Sequence, residues 1–157
     1  MSTKVERQDA ILRLVESSHV STQAELAEAL RGEGIEAVQA TVSRDVAQLG
    51  LVKVRNGEGR LIYARPGAAD LRRLGQLASA LRSYAGSFVA TGQLLVVHTP
   101  RGLAAALADA IDEASLPEVA GTIAGDNTVF VAVREDTNAA ELADELAHYR
   151  DGESEVA

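Results

Sequence analysis

The stretch "QATVSRDVAQLG" (residues 39–50) carries the decisive pattern of this sequence. Val38, Val42, Val46 and Leu49 recur at helical spacing, and Gly50 stands where a helix commonly stops. The same few turns crowd Gln39, Thr41, Ser43 and Arg44 into the leading half of the segment. A core helix has no need of so many hydrogen-bonding side chains there. One side of this helix is suited to burial and its polar start to contact with something else.

Working outward, the segment has helices before it and strands after it. A first helix is expected over about 4–18, with Val5, Ile11, Leu12 and Val15 as its buried stripe. Thr22-Gln23-Ala24-Glu25 reads as a capping box, Thr22 capping a backbone N–H while Glu25 reaches back. The second helix then runs to about Leu30 and ends in the Gly32–Gly34 region. After Gly50, Leu51–Arg55 and Arg60–Ala64 are β-like runs around Asn56-Gly57-Glu58-Gly59, a strong hairpin signal. Three short helices followed by a hairpin form a winged helix-turn-helix.

Pro66-Gly67-Ala68-Ala69-Asp70 is small and lacks periodicity, so a domain boundary is placed there: residues 1–66, a linker at 67–70, and a second domain at 71–157. That second domain reads as a helix near 71–84, strands near 87–91 and 94–99, and a helix near 102–114. The runs Glu118–Ala124 and Val129–Val133 follow as a hairpin, and a last helix covers about 138–149. The order α-β-β-α-β-β-α implies a sheet with helices on at least one face. The expected fold is therefore a two-domain α/β protein, with an acidic, frayed tail after Arg150.

The net charge of −8 is unevenly spread. Residues 1–66 are neutral overall, whereas residues 67–157 carry the whole −8. Within the first domain, residues 37–66 hold Arg44, Lys53, Arg55, Arg60 and Arg65 against only Asp45 and Glu58. The local basic excess coincides with the polar helix and the hairpin, as nucleic-acid binding requires.

In helix-turn-helix proteins the helix after the turn enters the major groove, its N-terminal residues reaching base edges. Gln39 suits adenine and Arg44 suits guanine, each through paired hydrogen bonds. Thr41 and Ser43 are sized for phosphate or base contact, and Gln23, which opens the second helix, is counted with them. Lys53 and Arg55, with Arg60, would add phosphate contacts from the hairpin. Taken singly, each of these residues reads better as ordinary solvated surface than as a DNA contact; their conjunction points to double-stranded DNA.

Other chemistry is poorly represented. With no cysteines, the chain has no disulfide framework, thiolate zinc site or cysteine nucleophile. His19, His98 and His148 lack metal-ligand spacing, and no nucleophile elbow, P-loop or GxGxxG occurs, so neither a metal nor an enzyme activity is expected. No apolar run reaches membrane-spanning length and the start resembles no secretory signal. A soluble cytoplasmic protein without membrane partners is the expectation.

Over nearly its whole length the sequence resembles the bacterial arginine repressor family. The N-terminal likeness rests on "STQAELAEAL" (21–30) and "QATVSRDVAQLGLVKV" (39–54), with the Ser43-Arg44 pair of the family's recognition helix. The C-terminal likeness rests on "LLVVHT" (94–99) and "GTIAGDNTVFV" (121–131), close to the family motif GTIAGDDT. The resemblance implies a homohexamer, a dimer of trimers, with L-arginine as co-repressor at the trimer interface and no other cofactor. It also implies repression of arginine biosynthesis genes through operator DNA, with activation of catabolic genes a further family role. Asp126 and Asp112 match family positions that hold arginine. By residue chemistry alone, Asp126 reads as turn chemistry that requires no ligand and Asp112 as part of a solvated acidic helix face.

Three positions depart from the family pattern. Asn127 replaces the second aspartate of the motif, Ala105 replaces a ligand-contacting glutamine, and Arg101 replaces a loop proline. A lost hydrogen bond to a charged group commonly costs about 1.5–3 kcal/mol. Three readings therefore stay open: an arginine-dependent regulator, a metabolite-sensing α/β oligomer with a different co-repressor or none, and a DNA-bridging hexamer indifferent to ligand.

Overall fold

The computed structural model describes residues 2–152. The last five residues of the expected acidic tail lie outside the described residues. Helix α1 (Lys4–Ser17), α2 (Gln23–Gly32) and α3 (Gln39–Leu49) precede a hairpin of β1 (Val52–Arg55) and β2 (Leu61–Ala64). Ala10, Ile11, Val15, Val20, Leu26, Leu30, Val42, Val46, Leu51 and Tyr63 form one closed core among them. The expected stripe of α1 is displaced: Val5 is 68% exposed, and Ala10 takes the inward place instead. Val5 lies in the first turn, beyond the reach of α2 and α3.

Local chemistry sets each boundary. Thr22 Oγ1 accepts the N–H of Glu25 at 3.0 Å, while the Glu25 carboxylate reaches the N–H of Ser21 at 2.8 Å, one residue before the expected partner. Gly50 ends α3 in the left-handed region (φ 66°), which satisfies the carbonyls of Ala47 and Val46. In the wing tip, Asn56 Oδ1 accepts the N–H groups of Glu58 and Arg60 at 2.9 and 3.0 Å. The β2 strand is tied back to the helices by Tyr63 N–H donating to the Val20 carbonyl at 2.8 Å.

The expected linker is mostly helix. Helix α4 runs from Ala68 to Tyr84, so Ala68, Ala69 and Asp70 belong to its first turn. Asp70 explains the difference, because its carboxylate accepts the Gly67 N–H at 2.9 Å and pairs with Arg73 one turn on. Both contacts hold its pKa below the usual aspartate value. The connection between domains shrinks to Arg65–Gly67.

The second domain continues with β3 (Phe88–Thr91), β4 (Leu94–His98), α5 (Ala104–Glu113), β5 (Val119–Ala124), β6 (Thr128–Val133) and α6 (Ala139–Arg150). Glu118, expected to open a strand, precedes β5 and is buried. The strands form one antiparallel sheet in the order β3-β4-β6-β5. Leu95, Val97, Val129, Val131 and Val133 face the three helices, meeting Leu77, Leu81, Leu107, Ile111, Leu142 and Leu146. The opposite face carries Val89, Val96, Phe130 and Ile123, aligned by strand register across all four strands. Phe130 is 49% and Ile123 73% exposed there. A sheet with one helical layer leaves such a row without a covering layer.

The recognition helix is fixed to α1 by Asp45. Its buried carboxylate pairs with the Arg7 guanidinium through two nitrogens and accepts from Gln8 Nε2 at 3.0 Å, while Gln8 also reaches Gln48. The Asp45 hydrogen bond raises the Arg7 pKa above its ordinary value. Asp45→Ala should therefore lower unfolding stability by about 1.5–3 kcal/mol, since it strands a charged partner. Val5→Lys, on exposed surface, should stay within about 0.5 kcal/mol of the parent. Urea denaturation of both variants checks the contrast.

Candidate DNA and ligand sites

Helix α3 presents three different flanks. Val42, Val46 and Leu49 enter the winged core, Asp45 and Gln48 meet α1, and Ser43 and Ala47 turn toward α6. What stays accessible is its N-terminal half: Gln39 and Arg44 are exposed and Thr41 is half-buried. Val38 offers no side-chain cap at this end. In the wing, Arg55 Nη1 donates to the Gly59 carbonyl at 2.6 Å and to Asp136 Oδ2 at 3.0 Å. A polar, arginine-bearing helix start and an arginine-bearing hairpin in one small domain match groove insertion with flanking backbone contacts.

Gln23, Ser43 and Lys53 are placed otherwise. All three are buried where the winged domain packs on α6. The Gln23 backbone N–H donates to Glu141 Oε1 at 2.8 Å, and its side-chain amide reaches Glu145 Oε1 at 3.4 Å. Lys53 Nζ donates to Thr137 Oγ1 at 3.1 Å, lies 3.7 Å from Glu141 Oε2 and sits over the Tyr63 ring. Tyr63 OH donates to Glu145 Oε1 at 3.1 Å. Glu118 shares this interior, whose remaining void of about 30 Å³ is bordered by Lys53, Arg73, Glu118, Glu145 and Tyr149.

Three carboxylates around one ammonium perturb one another. Burial, reinforced by Glu118 and Glu141, pushes Glu145 up to about 8 despite the opposing pull of Lys53. Glu118 is raised for the same reason, and Tyr63 and Tyr149 are held in the phenol form well above their ordinary range. None of Glu118, Glu141, Glu145 or Tyr63 was singled out from the sequence. One signal was present: Glu141, Glu145 and Tyr149 recur every fourth residue beside the Leu142/Leu146 stripe, which puts them at the edge of a buried face.

The second candidate site is built on the β5–β6 hairpin tip. The Asp126 carbonyl accepts the N–H of Gly102 at 2.9 Å and that of Ala104 at 3.4 Å, and the Asn127 carbonyl accepts the Thr99 N–H at 2.8 Å. These bonds clamp the tip to the start of α5, where Ala105 is exposed. The Asp126 and Asn127 side chains are exposed as well, and Thr128 Oγ1 donates to Asn127 Oδ1 at 3.0 Å. Asp112 lies two turns further along α5, about 10 Å from Ala105 by helical rise. It is exposed and accepts from Thr122 Oγ1 at 2.9 Å. Asp126, Asn127 and Ala105 thus come together at one end of α5, and Asp112 marks its other end.

The carboxylates and absent bulk at Ala105 suit a small cationic ligand, because a carboxylate and a guanidinium match in planar geometry. No group of acidic or histidine side chains among the described residues is arranged to hold a metal ion. Among those residues no helix is long and apolar enough to cross a membrane.

Comparison with known proteins agrees with both halves. Residues 2–69 match the family model described as the arginine repressor DNA-binding domain, and residues 81–148 match the arginine repressor C-terminal domain. The arginine repressor of Anaeromyxobacter sp. (strain Fw109-5) is 45% identical over 148 residues, covering 94% of this chain and 91% of that protein. The arginine repressor of Carboxydothermus hydrogenoformans is 44% identical over 137 residues, covering 84% and 89% respectively. That of Thermus thermophilus is 42% identical over 151 residues, covering 94% and 90%. With two domain models matched in order and likeness of this depth along the chain, the protein belongs to the arginine repressor family, a family of transcriptional regulators and not of enzymes.

Proposed function

We propose that this chain is an arginine-responsive transcriptional repressor, acting in the cytoplasm on operators of arginine biosynthesis genes as a homo-oligomer. The observation that carries this reading is the polar leading edge of α3, with Gln39 and Arg44 exposed and Thr41 half-buried, in a domain that ends in a hairpin wing. Residues 1–66 serve as the DNA-binding unit and residues 71–157 as the assembly and ligand unit. The apolar row Val89, Val96, Phe130 and Ile123 supports association with further copies of the chain, since water-exposed apolar strips of this kind favour burial against a like surface. Several weak DNA heads on one assembly gain effective concentration on a multi-site operator.

L-arginine is the co-repressor in this reading, with Asp126 as its main guanidinium partner. A guanidinium stays charged at any relevant pH, so a carboxylate answers it better than the neutral amide of Asn127. Asp112 extends the anionic surface, Ala105 supplies room and Asn127 supplies an amide. Arg101, exposed one residue before Gly102, would repel a guanidinium but attract the ligand's α-carboxylate, so it serves arginine and the second reading, a related amino-acid co-repressor, alike.

Arg44→Ala should reduce discrimination between operator and random duplex by about 1–3 kcal/mol, the worth of one paired base contact. Arg55→Ala should instead weaken both duplexes alike and lower the salt slope by about 1. Fluorescence anisotropy across a salt series separates the two effects. An unchanged specificity ratio in Arg44→Ala would remove it from base readout.

For the ligand, Asp126→Asn should abolish measurable arginine binding in calorimetry while thermal stability and assembly stay at parent values. Asn127→Asp with Ala105→Gln should tighten it. Parental arginine affinity in Asp126→Asn, or a stronger response to another amino acid, would select the second reading.

For assembly, Phe130→Glu should shift the sedimentation coefficient toward the monomer, because the row then presents a charge to each neighbour. An unchanged coefficient would place the interface elsewhere.

A further inference from the structure

The joint between the domains uses the same residues that a winged helix-turn-helix offers to a DNA backbone. Glu141 Oε1 sits on the N–H of Gln23 in the first turn of α2, 2.8 Å away. A helix start of this kind is a natural phosphate position, combining free N–H groups with the positive end of the helix dipole. Lys53, a wing lysine, spends its ammonium on Thr137 and Glu141. Arg55, at the end of the same strand, pairs with Asp136. Carboxylates of the acidic domain thus stand where phosphate oxygens would stand.

The fit is also incomplete in an informative way. Ser43 Oγ on α3, Gln23 Oε1 on α2 and Glu141 Oε2 on α6 are buried with no hydrogen-bond partner. Native interiors rarely leave such groups unsatisfied, so the docked joint answers its polar surface only in part; the Glu141 oxygen has the Lys53 ammonium at 3.7 Å. Gln39 and Arg44 meanwhile stay accessible. The docked chain therefore exposes base-reading side chains while its backbone anchors are covered.

We propose that the Glu141 face of α6 is an intramolecular stand-in for the DNA backbone, so that docking on α6 and docking on a duplex exclude one another. This rests on the reading that the winged domain binds DNA. Docking lowers the apparent DNA affinity by the fraction of chains held closed. The closed form is also linked to protons through Glu145. That carboxyl faces Lys53 from β1, Tyr63 from β2, Gln23 from α2, Glu118 from the segment before β5, and Glu141 and Tyr149 on its own helix, and Arg73 of α4 borders the same void. When docked it keeps its proton up to about pH 8, whereas undocked and solvated it titrates in the ordinary carboxylate range. Docking is therefore strongest at and below that ordinary range, weakens as pH rises above it, and has lost this contribution once pH passes about 8.

The test uses the full chain and a 30-base-pair random duplex, followed by anisotropy at fixed salt. Glu141→Lys sets a second ammonium against Lys53 and should open the joint, tightening duplex binding by about tenfold or more. Asp144→Lys makes the same charge change on the exposed side of α6 and should give no more than about a threefold gain. Glu145→Gln mimics the protonated docked form, so at pH 8.5 it should bind duplex more weakly than the parent although it carries less negative charge. Parent affinity, relative to Glu145→Gln, should rise between pH 6.5 and 8.5, every other group being common to the two proteins. Amide exchange at Gln23 in the free chain should quicken in Glu141→Lys and slow in Glu145→Gln. Equal gains in the two lysine variants, or tighter binding by Glu145→Gln, would show net charge alone at work and overturn the proposal. Failure of the parent and every variant to bind duplex at low salt would overturn the DNA reading itself, and this proposal with it.

Discussion

Burying the Lys53 ammonium between the winged domain and α6 is the constraint around which the arrangement of domains is organised. An ion taken from water costs several kcal/mol unless its new surroundings answer it. Here the answer comes from Thr137, Glu141 and the Tyr63 ring, two of them on the far domain. The wing cannot keep Lys53 in place without α6, and α6 cannot keep Glu141 and Glu145 buried without Lys53, Gln23 and Tyr63. Apolar packing completes the seam, since Ala47 of α3 is buried within the core of the second domain and Val52 packs against it.

That seam limits what the recognition helix can do with each side. One side is spent on its own core, another on the Asp45 pairing with Arg7 and Gln8, and a third on α6. Only the N-terminal edge stays accessible, and it is there that the proposed base contacts fall. The division follows position around the helix, because each side chain leaves its Cα in one direction only. Arg44 and Asp45 are adjacent in sequence, yet a rotation of about 100° per residue sends one outward and the other into a buried ion pair.

The ligand half follows a different logic. Its polar groups sit on exposed elements, the hairpin tip and the outer side of α5, and are positioned by backbone hydrogen bonds more than by packing. A tip clamped through the Asp126 and Asn127 carbonyls leaves both side chains outward, so substitution at Asn127 changes the chemistry on offer without moving the turn. The open apolar row lies on the other face of the same sheet. Assembly and ligand response can therefore share one small domain.

The sequence by itself determined the elements and their order. Helical and alternating periodicities located the six helices and six strands of the described residues to within a few residues, because those patterns depend on neighbours close along the chain. It also marked the polar edge of α3 and the GDNT tip, where turn chemistry and side-chain type are local facts. It misjudged 68–70, since the Asp70 bonds to Gly67 and Arg73 that start α4 are not a periodic signal. Only the tertiary structure decided that Gln23, Ser43 and Lys53 face inward. The partners of Gln23 and Lys53, which are Glu141, Glu145 and Thr137, stand 84 to 122 residues away. No short-range pattern encodes such a meeting, because whether a lysine is solvated or buried is fixed by which surface the whole domain packs against.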